Sequence, residues 1–367
     1  MRLFITGGAG YVGAMLADQF SERSDVEKIL LIDKSEKPEL LNGKDKIEFI
    51  TANTADDSWV EKAKAFQPDV VIHTAWQIRE MFGKQDIQWK WNVDGSAKIF
   101  DFSFSTPSVK KLIYFSTASI YGAFKNNTIE HEFAETEPLL EDEYLYGVEK
   151  RKVEEILSEK VENLKKEGKQ VPQIFIVRPA AITGPRGRYM MKNRFGLQSA
   201  LSGRLSGSPI YSIIKLLVAI VPATKLWCRQ FIHEDDVKDI VELLTFNNLE
   251  GSYEIFNITP PGKVVLAQDM AKVVGKKVIV LPPWFIRIGF FFARTLSFGK
   301  IPTSKGGWKF YSYPIVMDGT KLTKKYGYQY KHESLEAFKN IVGRYAKYVS
   351  EEDKKAAEVL ATGTKTS

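Results

Sequence analysis

Two tyrosines stand close together in the segment "EYLYGVEKRK", but only Tyr146 has a lysine, Lys150, four positions later. On an α-helix, residues four apart lie on the same face, about one turn from each other. A nearby ammonium favours the phenolate form of a tyrosine and lowers its pKa from about 10. We therefore expect Tyr146 to exchange a proton with a substrate alcohol, and Tyr144 to be a packing or rim residue.

Hydroxyl side chains end a β-branched run in "YFSTASIYG", where Ser116, Thr117 and Ser119 are grouped. A hydroxyl beside the phenol could hold the substrate oxygen in place and stabilise the charge that develops on it. The residues alone leave open which of the three does so.

A glycine-rich loop, "TGGAGYVG", follows the first strand-like run of the chain. Gly7, Gly10 and Gly13 allow a tight turn, close approach of a pyrophosphate and close packing of the helix that follows. The second strand-like run ends at Asp33, 20 residues beyond Gly13. An acid at this position can bind both hydroxyls of an adenosine ribose and repel a 2′-phosphate, so the pattern favours NAD over NADP.

Strand-like and helix-like segments alternate regularly through the first half of the chain, which predicts parallel βαβ units. The fold class expected is α/β, a doubly wound parallel sheet with a smaller C-terminal substrate-binding lid. We assign residues 1–180 to the dinucleotide-binding domain, with its sheet completed by parts of 230–260. Residues 181–345 are expected to form mainly the lid, and 346–367 a C-terminal helix and frayed tail.

The composition of the 367-residue chain argues against several classes of binding partner. Its formal charge of +7 comes from lysines interleaved with glutamates, which argues against nucleic-acid binding. One cysteine and four scattered histidines without ligand spacing argue against a metal site. No signal peptide is recognised, and the apolar segments Ile213 to Ala223 and Trp284 to Phe298 are too short to span a bilayer. Peripheral contact of the second segment with a membrane stays open.

The motifs together resemble the extended short-chain dehydrogenase/reductase family, specifically its NAD-dependent epimerase/dehydratase group, over residues 1 to about 340. The matching motifs are TGGAGYVG, HTA, Asn92 in "WNVDGS", STASIYG, YGVEK, RPAAITGP, RQFIHEDDV and "VMDGTKLTKKYGY". This resemblance implies a Rossmann-type sheet, NAD as cofactor and the catalytic set Thr117, Tyr146 and Lys150. Thr117 is selected because the family places this hydroxyl four residues before the tyrosine of the "YG" pair, here Tyr121.

The resemblance also implies the cofactor contacts, with Lys150 expected on the nicotinamide ribose. The expected cofactor-binding residues are Gly7, Gly10, Tyr11, Val12, Gly13, Asp33, Asn53, Thr54, Thr74, Ala75, Trp76, Asn92, Tyr146, Lys150, Pro179 and Ala180. Asn53 and Thr54 depart from the family's usual residues beside adenine. Trp76 is bulkier than the small residue common at its position.

Ser119 and Arg229 are the expected substrate contacts, and the resemblance places Arg229 on a substrate phosphate. Ala181 stands where nucleotide-sugar enzymes usually carry an asparagine. Three hypotheses therefore stay open: a UDP-glucose 4-epimerase-like nucleotide-sugar enzyme, an NAD(P)-dependent dehydrogenase or reductase of an apolar hydroxyl or keto compound, and a non-catalytic dinucleotide-binding regulator. The expected location is the cytoplasm and the expected assembly a homodimer.

Overall fold

A seven-stranded sheet with helices between its strands forms the first part of the fold. The computed structural model describes residues 1–187, 220–273, 276–296, 303–351 and 354. The sheet strands are β1 (Arg2–Thr6), β2 (Lys28–Asp33), β3 (Ile47–Thr51), β4 (Val70–His73), β5 (Lys111–Phe115), β7 (Gln173–Pro179) and β12 (Tyr253–Ile258). Their order across the sheet is β12-β7-β5-β4-β1-β2-β3.

The strand order reverses between β1 and β4, which pair in parallel with Leu3 opposite Val70 and Thr6 opposite His73. The pairings from β3 through β7 are all parallel. In open sheets of this kind, ligands bind beyond the carboxyl ends of the strands at the point of reversal. The doubly wound sheet expected from the sequence is thus confirmed.

Ten helices lie among the described residues. They are α1 (Tyr11–Phe20), α2 (Val60–Phe66), α3 (Gln85–Trp89), α4 (Gly95–Ser105), α5 (Leu145–Lys166), α6 (Glu234–Phe246), α7 (Ala267–Val273), α8 (Pro283–Leu296), α9 (Thr320–Tyr326) and α10 (Ser334–Lys339). A π-helical turn at Lys90–Asp94 and 3₁₀ turns at Glu39–Leu41, Ala118–Tyr121, Gly307–Tyr311 and Ala346–Tyr348 complete the helical segments. Among these helices, none has the length and apolar character needed to cross a membrane.

Short strands form four further two-stranded pairings. They are β6 (Glu132–Phe133) with β15 (Val316–Met317), β8 (Ala181–Thr183) with β11 (Phe231–His233), β9 (Ile220–Ala223) with β14 (Lys277–Val280), and β10 (Cys228–Arg229) with β13 (Val265–Leu266).

The core of the sheet is aromatic on one face. Phe4 of β1 packs against Trp59 and Phe102, with ring centroids 5.6 and 5.5 Å away, and all three side chains are buried. Apolar strands buried in this way gain free energy roughly in proportion to the apolar area removed from water. The continuous β-branched runs of the sequence are therefore explained by burial rather than by strand propensity alone.

The chain divides into two compact units. The first comprises Met1–Ile120, Tyr146–Arg178 and Lys238–Phe256, and contains most of the sheet. The second comprises Tyr121–Leu145, Pro179–Val237 and Asn257–Ser367, so the segment just before α5 belongs to it although the sequence assigned it to the first domain.

Three sequence expectations fall partly outside the described residues. They concern residues 213–219 of the first apolar segment, residues 297 and 298 of the second, and most of the C-terminal helix and tail at 346–367.

A buried ion pair joins α5 to β7 and supports a stability prediction. Arg178 and Glu154 lie 2.6 Å apart, with side chains 3% and 5% exposed. Arg178→Met leaves the Glu154 charge buried without its partner, so we expect the free energy of unfolding to fall by about 3–5 kcal/mol in urea titrations. The control is Lys64→Ala, whose exposed pair with Glu61 contributes about 1 kcal/mol or less. Equal losses in the two variants would contradict this account.

Candidate active site

The glycine loop closes tightly between β1 and α1. Gly7 has φ +76°, a left-handed conformation that favours glycine, and its carbonyl accepts the Gly10 amide at 2.8 Å. A Cβ on Gly13 would collide with the Gly7 carbonyl, and one on Gly7 would lie 2.7 Å from Thr74 Oγ1. Among the described residues, no side chain caps α1 at Gly10. The N-terminus of α1 therefore offers a cradle for an anion.

Asp33 links the loop to the end of β2. One oxygen of its carboxylate accepts the Ala9 amide at 3.1 Å, and the other accepts the Ser35 amide at 2.8 Å. Lys34 turns away from it, because its Nζ donates to Gln77 Oε1 at 2.8 Å and lies 4.2 Å from the centre of the Trp91 ring. Burial lowers the pKa of Lys34, and the Asp33 charge opposes that shift.

A pocket of about 70 Å³ opens beside Asp33 at the reversal of strand order. Its lining residues are Asp33, Lys34, Ala52, Asn53, Thr54, Ala75, Trp76, Gln77, Trp91 and Asn92. The structure therefore brings together six of the cofactor contacts expected from the sequence. The other four lining residues were missed, although each adjoins an expected contact in the sequence: Lys34, Ala52, Gln77 and Trp91.

Thr117, Tyr146 and Lys150 meet in the first unit. Thr117 follows the end of β5, and Tyr146 and Lys150 lie one turn apart on α5. The Tyr146 phenol and the Thr117 hydroxyl share a hydrogen bond. Thr117 Oγ1 also accepts the Ser119 amide at 3.2 Å and lies 3.3 Å from Ser119 Oγ. Ser119 therefore supports Thr117.

Lys150 is buried, with only 3% of the residue exposed. Its Nζ donates to the Phe115 carbonyl at the end of β5 and lies 3.6 Å from the centre of the Trp76 ring. Trp76 also meets Tyr146 edge-on, with ring centroids 6.3 Å apart. The bulky residue after β4 thus covers the ammonium through a cation–π contact.

Burial of Tyr146 acts against the lowered pKa that the sequence predicts from the Lys150 ammonium together with the positive charge of the oxidised nicotinamide. Burial raises this pKa, and the hydrogen bond from Thr117 opposes the shift only in part. Burial likewise lowers the pKa of Lys150 well below its ordinary value, against the charges of Glu154 and Glu149. Burial thus disfavours the charged form of both side chains, and the Lys150 ammonium is directed at the Phe115 carbonyl and the Trp76 ring.

A second network fixes Asn92 next to the site. Asn92 lies in the π-helical turn, where its amide donates to Glu149 Oε2 at 2.6 Å and to the Gln77 carbonyl at 3.0 Å. Its oxygen accepts the Gln77 amide at 2.8 Å, and Gln88 also donates to Glu149. Burial raises the pKa of Glu149 to about 7. Asn92 therefore holds the main chain at Gln77, which lines the pocket.

His73 sits beneath the site as a buried neutral ring. Its nitrogens lie 2.6 Å from Thr6 Oγ1 and 2.8 Å from Ser96 Oγ, and it stacks on Tyr114. Burial, helped by the Lys150 charge, lowers its pKa to about 3.

Tyr11 and Val12 begin α1 in the first unit, and the other expected contacts not yet placed belong to the second unit. Pro179 ends β7, and the Ala180 amide donates to the Ile258 carbonyl at 3.1 Å. The Arg229 guanidinium lies 5.1 Å from the centre of the Tyr311 ring and 5.6 Å from that of Trp227.

A His–Asp–His cluster that the sequence spacing did not suggest also lies in the second unit. Ligand atoms of His233, Asp235 and His332 lie within 4.8 Å of one another. His233 Nδ1 accepts the Asp235 amide at 3.1 Å, and Nε2 lies 3.1 Å from the Val342 carbonyl. Because both ring nitrogens of His233 bond to backbone groups, the cluster serves to join these segments.

A glycine cradle after the first strand, an acid at the end of the second, and a Tyr–Lys pair on one helix define a class of dinucleotide-binding α/β enzymes. The NAD dependent epimerase/dehydratase family model matches residues 3–259. The chain belongs to this family.

Known relatives are distant in sequence. UDP-glucose 4-epimerase of Mycoplasma genitalium is 30% identical over 141 residues, which are 37% of this chain and 42% of that protein. The match thus spans less than half of that relative. An uncharacterised protein of Mycobacterium bovis is 21% identical over 342 residues, covering 92% of this chain and 82% of that one.

Solved structures share the fold over nearly the whole chain. The Bordetella bronchiseptica enzyme WbmG, solved with NAD and UDP, has a TM-score of 0.65 at 21% identity and covers 97% of this chain and 94% of its own. UDP-glucose 4-epimerase of Thermotoga maritima, solved with UDP-glucose, has a TM-score of 0.64 at 21% identity. The match covers 95% of this chain and 99% of that one.

The tight closure of the glycine loop predicts how a methyl group added at Gly13 affects NAD binding. Gly13→Ala should push the Gly7 carbonyl away and abolish tight NAD binding, measured by calorimetry. Gly289→Ala is the control, since a Cβ there has no neighbour within 4 Å among the described residues. Circular dichroism verifies that each variant is folded. Undiminished NAD affinity in folded Gly13→Ala would refute the role of the loop.

The raised pKa of Glu149 predicts a pH dependence of stability. Between its ordinary pKa of 4.5 and about 7, the folded protein keeps a proton that the unfolded chain releases. The free energy of unfolding should therefore fall as pH rises through this window, by at most about 1.4 kcal/mol per pH unit.

Glu149→Gln should lose this contribution, so its stability relative to wild type rises from pH 4.5 to 7 in urea titrations. Glu159→Gln, an exposed change on the same helix, should follow the wild-type profile. Identical profiles for Glu149→Gln and wild type would show that the Glu149 carboxyl does not titrate in this window.

Proposed function

We propose that the chain is an NAD-dependent epimerase/dehydratase-type oxidoreductase that uses Thr117, Tyr146 and Lys150 at a substrate hydroxyl. The observation that carries this proposal is the hydrogen bond between the Tyr146 phenol and Thr117, one helical turn from the buried Lys150. Family membership supports the reaction class, and this arrangement supports the assignment of the residues.

The residues of the first unit fit NAD. The pyrophosphate would lie on the Gly7–Gly13 loop, whose tight closure leaves no room for a Cβ at Gly7 or Gly13. The adenosine ribose would meet Asp33, and the pocket lined by Asn53 and Thr54 would take the adenine. When bound, the nicotinamide supplies a hydride acceptor and donor. Asp33 favours NAD over NADP because it would repel a 2′-phosphate.

Tyr146 performs the proton transfer in this proposal. Its phenolate takes the proton of the substrate hydroxyl as a hydride leaves the same carbon, and the resulting phenol returns the proton in the reverse direction. Thr117 holds the reacting oxygen through the hydroxyl that already bonds to Tyr146. Ser119 keeps the Thr117 hydroxyl in position.

Lys150 provides a fixed positive charge and donor beside the nicotinamide ribose. Desolvation makes the ammonium costly, so burial lowers the pKa of Lys150 from its ordinary value. If ribose hydroxyls replaced part of the contact with Trp76, they would give the Lys150 ammonium further hydrogen-bond partners. Trp76 would then move or re-orient, because its ring lies on Nζ.

A nucleotide sugar is the proposed substrate class. Relatives whose names or titles include UDP-glucose 4-epimerase, and a fold neighbour solved with UDP, support it. Arg229, beside the Trp227 and Tyr311 rings, would bind a substrate phosphate. A homodimer and a cytoplasmic location are expectations from the family resemblance and stay predictions.

The second candidate function is oxidation or reduction of an apolar hydroxyl or keto compound. Ala181 favours it, because a methyl group replaces the amide that nucleotide-sugar enzymes of this family usually carry there. The proton-transfer chemistry at Thr117, Tyr146 and Lys150 would be the same.

The test compares Tyr146→Phe with Tyr144→Phe. Both variants remove one hydroxyl from tyrosines two residues apart, but only Tyr146 hydrogen-bonds to Thr117 in the proposed site. We expect purified wild type to carry NAD and to interconvert UDP-glucose and UDP-galactose without added cofactor. Tyr146→Phe should lose about 10²- to 10⁴-fold in kcat, and Tyr144→Phe should keep its activity.

The results of these assays distinguish the nucleotide-sugar function from the function on an apolar hydroxyl or keto compound. Turnover of an apolar alcohol with added NAD, without conversion of the UDP sugars, would replace the first substrate class by the second. Full turnover by Tyr146→Phe with either substrate would refute the catalytic assignment.

A further inference from the structure

Helix α8 carries a wide apolar face that the described residues leave open. Six of its side chains are between 45% and 72% exposed: Trp284, Phe285, Ile288, Phe291, Phe292 and Leu296. Because successive helical residues are about 100° apart, these six lie within an arc of about 140°. Singly exposed apolar residues are ordinary on protein surfaces, but a contiguous group of this size marks an interaction site.

The opposite face fixes the direction in which this surface points. Ile286 is buried, and the Phe290 ring packs on Tyr311 with centroids 5.2 Å apart. Phe290 also lies against Gly307, where a Cβ would be 3.4 Å from its ring. The outward aromatic residues are therefore held away from the packed side of α8.

Strand β14 precedes the helix and adds to the exposed apolar residues. Ile279 and Val280 are 42% and 57% exposed, and Lys277 at the start of the strand is exposed as well. We call the six exposed side chains of α8 together with Ile279 and Val280 the α8 surface.

The stretch of chain that carries the α8 surface has charged side chains of one sign only. Arg287 and Arg294, seven residues apart, lie on the same flank of the helix. Residues 270–317 contain no Asp or Glu, but they contain Lys272, Lys276, Lys277, Arg287, Arg294, Lys300, Lys305 and Lys309. Some of these cations have acidic partners elsewhere, as Lys309 has in Glu143, but the stretch itself supplies no anion.

We propose that the α8 surface binds the interface of a lipid bilayer that contains anionic headgroups. Helices that lie in this interface combine an apolar face rich in Trp, Phe and Leu with flanking arginine or lysine. At 14 residues, α8 is about 21 Å long, which suits a helix lying along the interface rather than crossing the apolar core.

The charges of residues 270–317 favour a bilayer over a second copy of the chain as the binding partner of the α8 surface. Two α8 surfaces placed face to face would bring their arginines together, with no acid from residues 270–317 to neutralise them. An anionic bilayer provides the complementary charge and an apolar layer for the aromatic rings. This inference is independent of the proposed function, since it uses neither the proton-transfer residues nor the glycine loop.

The test is co-sedimentation of the full chain with phosphatidylcholine vesicles that contain or lack phosphatidylserine. We expect wild type to pellet with the anionic vesicles and to be released by salt. The double variant Trp284→Ser/Phe291→Ser should bind at least about ten-fold more weakly. Arg287→Gln should weaken binding to the anionic vesicles about five-fold.

Leu140→Ser is the matched control, because Leu140 is 51% exposed but lies outside the α8 surface. It should bind the vesicles like wild type. Urea unfolding and NAD affinity verify that the double variant is folded, and they separate this test from that of the proposed function.

Three results would overturn the proposal. One is equal binding of the double variant and wild type to anionic vesicles, and another is no binding of wild type to either vesicle. The third is a dimer in light scattering that the double variant abolishes while vesicle binding is absent, which would identify a second copy as the occupant.

Discussion

The buried ammonium of Lys150 is the constraint on which the site depends. A charge with 3% of its residue exposed must find compensation, because desolvation of an unpaired cation costs several kcal/mol. Here the Phe115 carbonyl accepts from Nζ, the Trp76 ring covers it, and Tyr114 lies 4.9 Å away. Phe115 and Tyr114 belong to β5, and Trp76 lies in the loop after β4. The contacts that stabilise this one charge therefore link α5 to the carboxyl ends of two neighbouring strands, β4 and β5.

Holding Lys150 in this way also places the two hydroxyls that we propose as catalytic groups. Tyr146 lies one turn earlier on the same helix, and Thr117 lies two residues beyond Phe115. Their hydrogen bond follows from the position of α5 against β5. Glu149, next to Lys150, extends the same arrangement through Asn92 to Gln77 at the pocket. Helix α5 therefore positions the proposed proton donor, Tyr146, and also supports the lining of the pocket through Glu149.

Local sequence patterns were sufficient for the sheet and for the Tyr146–Lys150 pair, whereas the choice of Thr117 among three hydroxyls needed the family resemblance. The β-branched run "IEFIT" forms β3, and the glycine loop lies between a strand and a helix as its spacing requires. Long-range packing could not be deduced in this way. No local pattern indicates that Trp76 would cover Lys150, or that burial would outweigh the ammonium in setting the pKa of Tyr146. The His233 cluster joins residues about a hundred positions apart, so its spacing carries no motif.

The central claim is that Tyr146 becomes the proton-transfer group when the positive charge of NAD⁺ adds to that of Lys150. The most direct measurement is the ultraviolet phenolate titration of wild type minus Tyr146→Phe, with and without NAD⁺, which isolates one of 15 tyrosines. The account predicts a pKa above the ordinary value without NAD⁺ and a clear fall when NAD⁺ is bound. The same pKa in both states, or a fall without NAD⁺, would contradict it.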